Sequence, residues 1–110
     1  MTIEFHTAYG KVPENLIAEI RTEILKLLHI NKEIKRAEIT LKEDQNMQTA
    51  ENKLCEIRLS VYGSDLLANA WKDDFEKSAR EVIKELNKLV KQQAIQQHEP
   101  PEVKTTTVKV

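Results

Sequence analysis

Residues 55–75 read CEIRLSVYGSDLLANAWKDDF, and this stretch decides the fold. Apolar residues occupy every second position from Cys55 to Val61, which is the period-two pattern of a strand with one buried face. Gly63-Ser64 predicts a tight hairpin turn, and the alternation resumes from Leu66 to Ala70. The stretch therefore predicts an antiparallel hairpin, and its two alanines leave room for a helix to approach the sheet.

The residues after this hairpin predict a long helix over 74–97. Asp73 and Glu76 have the spacing of a capping box at its start. When successive residues are turned by about 100°, the apolar side chains fall within one arc. Glu81 and Glu85 lie on one flank of that helix. The opposite arc carries five cations: Lys77, Arg80, Lys84, Lys88 and Lys91.

The residues before the hairpin predict two strands and one helix. Residues 2–7 alternate as a strand, 9–11 suit a turn, and Pro13 opens an amphipathic helix of about four turns. A second strand follows over residues 36–42, and the polar residues 43–53 form a flexible connection. The order β-α-β-β-β-α predicts a two-layer α+β domain, like a double-stranded-RNA-binding domain, with both helices on one face of a four-stranded sheet. We expect this domain over residues 1–97 and a flexible tail over 98–110, where VKTTTVKV has strand-like composition.

Composition narrows the class of protein. The 110 residues are 40% hydrophobic and 32% charged, with a net charge of −1, as in an ordinary soluble domain. No apolar run approaches the roughly 20 residues of a membrane span, so no membrane partner is expected. A single cysteine suits a reducing compartment, and we expect a cytoplasmic protein.

The sequence contains no pattern of residues typical of an enzyme. His6, His29 and His98 lack metal-ligand spacing, and Cys55 falls on the inward side of its strand. Glycines at positions 10 and 63 alone cannot form a phosphate loop. We therefore expect no catalytic residue, no metal and no cofactor.

Two surfaces are candidate binding sites. The row of cations suits a phosphate backbone, because each neutralised phosphate releases counterions; a merely solvated helix surface would show the same pattern. By alternation Trp71 and Leu67 lie on the solvent side of the last strand, with Tyr62 across the hairpin. These three side chains could stack on bases or meet a partner chain, or be covered by the rest of this chain.

The run from Glu56 to Phe75 and the helix after it resemble the short ribosome hibernation promoting factors and ribosome-associated inhibitor A proteins, the sigma-54 modulation family. The most specific residues are Ile57 to Val61, Gly63, Leu66 to Ala70, and Asp74-Phe75. The resemblance implies binding to the small ribosomal subunit and its rRNA in the decoding region, and reversible inhibition of translation as a stress response.

The resemblance also implies which residues contact RNA. Lys88 matches a basic position of the family's second helix and Lys26 one of its first, while Lys84 and Lys91 extend the same row. Glu23 and Glu85 stand where the family usually has a cation, which predicts a weaker contact. Whether ribosome pairing is promoted or prevented stays open.

Two other functions fit the sequence. The chain could be an interaction module that self-associates weakly through the sheet face around Trp71 or through the tail. Alternatively, it could bind generic double-stranded RNA by shape.

Overall fold

Six secondary-structure elements follow one another in the computed structural model, which describes residues 2–8 and 12–98. They are β1 Thr2–Ala8, α1 Glu14–Ile30, β2 Ile34–Glu43, β3 Lys53–Val61, β4 Ser64–Lys72 and α2 Phe75–His98. The predicted order β-α-β-β-β-α is confirmed, and α2 begins and ends within one residue of the predicted bounds. The turn expected at 9–11 and the tail after residue 98 lie outside the described residues.

The four strands form one mixed sheet in the order β1-β2-β3-β4. β1 runs parallel to β2, because α1 carries the chain back to the start of the sheet between them. The other neighbours are antiparallel. The register places Phe5, Ile39, Ile57 and Ala68 in one row across the sheet, so the inward sides of all four strands coincide.

Both helices cover this inward face, as predicted. Leu16, Ile20, Ile24 and Leu27 of α1 belong to the same buried cluster as the apolar arc of α2 and the inward strand residues. Burying one such Leu or Ile side chain stabilises the fold by about 1.5–3 kcal/mol. The shared core fixes the outward sides of the two helices as one continuous surface of the molecule, here called the helix layer.

The β3–β4 turn consists of Tyr62 and Gly63, so the prediction of Gly63-Ser64 was wrong by one residue. Ser64 is already paired with Val61 in the ladder. Gly63 adopts a φ of +86°, in the left-handed region that side chains with a Cβ rarely occupy. This glycine lets a two-residue turn close the hairpin and sets Tyr62 at its tip.

The helix cap also differs from the prediction. Asp74, not Asp73, caps α2: its Oδ1 accepts the Lys77 backbone N–H at 2.8 Å. Its backbone carbonyl accepts the Ser78 N–H at 3.2 Å, which is the first hydrogen bond of the helix. The buried Ser78 hydroxyl then donates to the Lys53 carbonyl at 2.6 Å and ties α2 to β3.

The connection between β2 and β3 is shorter than the predicted 43–53. Glu43 and Lys53 belong to the strands and form an ion pair at 3.1 Å. Beyond them the Asp44 N–H donates to the Asn52 carbonyl at 2.9 Å, so the ladder continues into the loop. Both ends of the polar segment 43–53 therefore belong to hydrogen-bonded strands, which its composition did not indicate.

Candidate nucleic-acid interface

The five cations of α2 all lie on the solvent side of the helix layer. The side chains of Lys77, Arg80, Lys84, Lys88 and Lys91 are exposed, while Ala79, Val82, Leu86 and Val90 are fully buried on the other side of the helix. The one-sided arrangement expected from the helical period is therefore present.

Half of the six predicted RNA-binding cations are already paired with acids. Lys77 Nζ lies 3.1 Å from Asp73 Oδ1, and Lys26 Nζ lies 3.1 Å from Glu23 Oε1. Arg80 pairs with Glu76. All three pairs join residues three or four positions apart on one helix or at its start, and such spacing brings side chains together. A carboxylate therefore competes with a phosphate for each of these cations and partly cancels its charge.

The pairing of Lys77 with Asp73 also changes the titration of both groups. A hydrogen bond from Lys77 is the largest cause that holds the pKa of the Asp73 carboxyl below its usual value; desolvation opposes it, and the charge of the Lys77 ammonium adds to the lowering. The pKa of Lys77 is raised, first by its hydrogen bond to Asp73 and then by the charge of the same carboxylate. Both groups are therefore charged at neutral pH.

Lys84, Lys88 and Lys91 differ from the other cations. Across the described residues, no carboxylate lies within ion-pair distance of these three ammonium groups. Lys91 follows Lys84 by seven residues, so the three cover about 10 Å of helix axis at 1.5 Å per residue. We call Lys84, Lys88 and Lys91 the unpaired row. It is the part of the predicted site that the structure leaves available to an anion.

The two helices run in the same direction, which sets the charge of each end of the helix layer. They begin side by side, where Pro13 and Leu16 line a depression together with Asp74 and Phe75. They also end side by side, where Asn31 Nδ2 donates to Gln93 Oε1 at 3.4 Å. Lys26, Lys88 and Lys91 therefore lie toward the same end, and Glu14 and Glu19 of α1 lie toward the other.

A groove of about 510 Å³ separates α1 from α2 in the first half of the helix layer. Glu19 and Glu23 line one wall, and Arg80 and Lys84 line the other. Acids opposite bases suit a phosphate backbone poorly, because each phosphate would meet a carboxylate as well as a cation. Lys88 and Lys91, which do not line the groove, are therefore better placed to bind an anion than Lys84, which lines it opposite these acids.

The open face of the sheet is not basic. Arg36 lies between two carboxylates, with its guanidinium 2.8 Å from Glu4 Oε2 and 3.2 Å from Glu38 Oε1. Arg58 lines a small depression there together with Glu38 and Glu56. Because the charges of this face alternate and cancel, it offers a phosphate backbone much less than the unpaired row does.

The predicted stacking residues occupy three different settings. Leu67 is 44% exposed on the open sheet face, as alternation indicated. The Trp71 side chain is half-buried rather than fully exposed. On the neighbouring strand it is paired with Leu54, whose side chain is buried. Tyr62 is 74% exposed and sits in the turn, so strand alternation did not define its side. The structure does not bring the three together as one patch.

Sequence reasoning missed two residues next to the candidate site. Lys35 places its ammonium 5.4 Å from the centre of the Tyr62 ring. Gln93 links the end of α2 to the hairpin, since its Nε2 donates to Ser64 Oγ at 2.9 Å. No spacing rule in one chain could have found either contact. The three helix ion pairs, in contrast, had a usable signal in their spacing of three or four residues.

The described residues hold no group of acids, histidines or cysteines arranged for a metal ion. Cys55 is fully buried, and its burial, with a smaller effect of the Glu56 charge, raises the pKa of the thiol to about 12. Such a thiol is protonated at neutral pH and is a poor nucleophile. Within the described part of the chain, neither helix has the length and apolar character needed to cross a bilayer.

The fold is similar to that of two solved structures. It matches a ribosomal subunit interface protein from Coxiella burnetii with a TM-score of 0.70 and 16% identity, over 84% of this chain and 96% of that one. It matches the N-terminal domain of Protein Y from Thermus thermophilus with a TM-score of 0.68 and 13% identity, over 84% and 98%. The sequence matches no family model and no curated protein.

Proposed function

We propose that this protein is a non-enzymatic, cytoplasmic translation inhibitor that binds the small ribosomal subunit and its rRNA at the decoding region. The unpaired row is the observation that carries the proposal. Among the residues that the structure describes, no carboxylate lies within ion-pair distance of these three exposed ammonium groups, and they stand on the helix layer of a fold similar to that of a ribosomal subunit interface protein. The similarity of fold supports the ribosome as the target, and the exposed lysines support the helix layer as the surface that binds it.

The unpaired row would act by displacing counterions. Each phosphate that a lysine neutralises releases condensed cations from the RNA, so the gain in binding is entropic and falls as salt is added. Occupation of the decoding region would then exclude messenger and transfer RNA by steric overlap, and starved or stationary cells are the setting in which we expect such reversible inhibition. No covalent chemistry is required of the protein.

Two acids limit the expected affinity. Glu23 pairs with Lys26 at 3.1 Å, so it partly cancels the charge of the α1 residue that the resemblance assigns to RNA. Glu85 is exposed on the flank of α2 between Lys84 and Lys88 in sequence, where it repels phosphate. Both stand where the resembling family usually has cations, and both favour a weaker contact in this chain.

Co-sedimentation with purified small subunits tests the proposal. Wild-type protein should pellet with the subunits at low salt and leave them as salt rises, and a variant with Lys84, Lys88 and Lys91 all changed to Glu should stay in solution. A plain RNA duplex is added as competitor. Salt-insensitive pelleting, or pelleting of the triple variant, would contradict the proposal, and full competition by the duplex would favour generic recognition of double-stranded RNA.

Self-association is a second candidate function, favoured by the edge of the sheet. β4 is an edge strand, and an edge presents unpaired backbone groups to which another strand can add. Leu67 on the same strand is 44% exposed. Sedimentation equilibrium of wild-type and Leu67→Lys protein tests this function: a concentration-dependent dimer lost in the variant supports it, and a monomer at all concentrations excludes it.

A further inference from the structure

The groove between α1 and α2 carries opposite charges on its two sides. Glu19 and Glu23 of α1, here called the acid wall, face Arg80 and Lys84 of α2, here called the base wall, across a space of about 510 Å³. A simple anion or cation fits such a groove poorly, because either ion would meet one wall of its own charge. The groove suits a ligand that carries both charges on two parallel lines.

The acids and the bases lie at matching heights along the helices. The two helices start side by side and run in the same direction. Glu19 and Arg80 each lie five residues after the first residue of their helix. Glu23 and Lys84 each lie nine residues after it. At 1.5 Å per residue these heights are about 7.5 Å and 13.5 Å along the helix axes, so the groove presents one acid and one base at each of two levels.

A second copy of this chain is the ligand whose charges fit this pattern. When two helix layers face each other across a two-fold axis along the groove, every residue keeps its height and α1 of one copy lies over α2 of the other. The acid wall of each copy then meets the base wall of its partner at both levels. A two-fold axis across the groove would instead place α1 on α1, acid against acid. The charges therefore select one orientation.

The outer side of α1 leaves room for the partner's base wall. Ala18 and Thr22 line the groove, are exposed, and each stand one residue before an acid of the acid wall. The Thr22 hydroxyl donates to the Ala18 carbonyl at 3.0 Å, so it is already satisfied by its own helix. Because both side chains are small, the long side chains of the partner's base wall can pass over them to reach the carboxylates.

Ion pairs within one copy oppose this contact only in part. Glu23 and Arg80 each have an ion-pair partner on their own helix, and the Arg80 side chain is still 74% exposed. In the part of the chain that the structure describes, no ion pair includes Glu19 or Lys84. At each level, therefore, one of the two groups that would meet between copies is not paired within its own copy.

We propose that this chain self-associates through its helix layer, with the acid wall of each copy against the base wall of the other. The proposal does not depend on the proposed function, and its surface differs from the β4 edge. Lys26 and Lys88 lie just beyond the groove, where two copies bring like charges together, so the association is weak and reversible. Because Lys84 faces the partner, an associated copy presents less of the unpaired row to RNA.

Exchange of charge between the walls tests the proposal by sedimentation equilibrium at low salt. Glu19→Lys with Glu23→Lys makes both walls basic. Arg80→Glu with Lys84→Glu makes both walls acidic. Each double variant alone should associate at least roughly 100-fold more weakly than wild type, because like charges then meet across the interface. An equimolar mixture of the two should associate as a heterodimer, and a variant with all four changes should associate with itself, since acid again meets base.

Leu67→Lys, on the β4 edge, is the control and should associate as wild type does. Four results would overturn the proposal: a wild type that is monomeric at every concentration, a double variant that associates as wild type does, a mixture that stays monomeric, or a dimer lost in Leu67→Lys. Thermal unfolding checks that each variant is folded. If a double variant unfolds, the variant with all four changes decides, because its walls again carry opposite charges, and a monomer there overturns the proposal.

Discussion

The division of the cations into paired and unpaired groups makes a quantitative prediction. Replacing Lys84, Lys88 and Lys91 together with Gln removes three phosphate contacts, each worth about 0.7–0.9 in the slope of log affinity against log salt. The slope for small subunits should therefore fall by about 2–2.7. At the upper value, raising salt from 50 to 200 mM costs the wild type roughly 40-fold more affinity than it costs the variant.

The matched control replaces Lys26, Lys77 and Arg80 with Gln. This control also loses three positive charges from the helix layer, so any effect of net charge is common to both variants. At 0.1 M salt one phosphate contact gains about 1.2 kcal/mol by counterion release. For Lys26 and Arg80, leaving an exposed ion pair costs up to about 1 kcal/mol, which offsets most of that gain. We expect the slope to fall by less than about 1 in this control.

Filter binding or sedimentation at five salt concentrations measures both slopes. Unfolding midpoints should agree among wild type and both variants, since surface substitutions usually change stability by less than about 0.5 kcal/mol. Equal slopes for the two variants, or a larger change in the control, would refute the reasoning, because the phosphates would then lie along the paired cations.

Two further predictions concern the fold. Because burial raises the pKa of the Cys55 thiol from 9.0 to about 12, an aromatic disulfide reagent at pH 8 should react with it only after denaturant is added. Between pH 9 and 12 the unfolded chain releases the thiol proton and the folded chain keeps it. The free energy of unfolding is therefore unaffected by this group below pH 9 and falls as the pH rises above 9. Rapid labelling of the native protein would contradict both expectations. Gly63→Ala should lower the free energy of unfolding, measured by chemical denaturation, by about 1–2 kcal/mol, because alanine is strained at a φ of +86°. A steric clash should not contribute, since an added Cβ would meet nothing within 4 Å. Gly63→Asn should cost less, since Asn tolerates this conformation, and equal losses would point to a steric cause instead.

Much of the fold could be predicted because its signals are local. The alternation from Cys55 to Val61 and the helical period after Phe75 each reflect the geometry of one element, so they fixed the order of elements and the inward side of each. Boundaries were less certain, since Asp73 and Asp74 are equally good caps by composition. The first helical hydrogen bond, from the Ser78 N–H to the Asp74 carbonyl, selects between them.

The candidate site was predictable only in part. The one-sided row of cations on α2 follows from the sequence, and the acids that neutralise Lys77 and Arg80 stand four residues earlier on the chain, where their pairing could have been foreseen. The contact between Tyr62 and Lys35 could not have been predicted. Lys35 is far away from Tyr62 in sequence and comes near only because β2 pairs with β3.

The sequence by itself determined the six elements, the buried side of each and the row of cations on the exposed side of α2. These features could be predicted because the spacing of apolar and charged residues follows the backbone geometry of a single helix or strand. Only the tertiary structure decided that the sheet is mixed, that Asn31 at the end of α1 bonds to Gln93 of α2, and that Gln93 in turn bonds to Ser64 of the hairpin. These features depend on distances between elements, and such distances are set by the packing of one shared core.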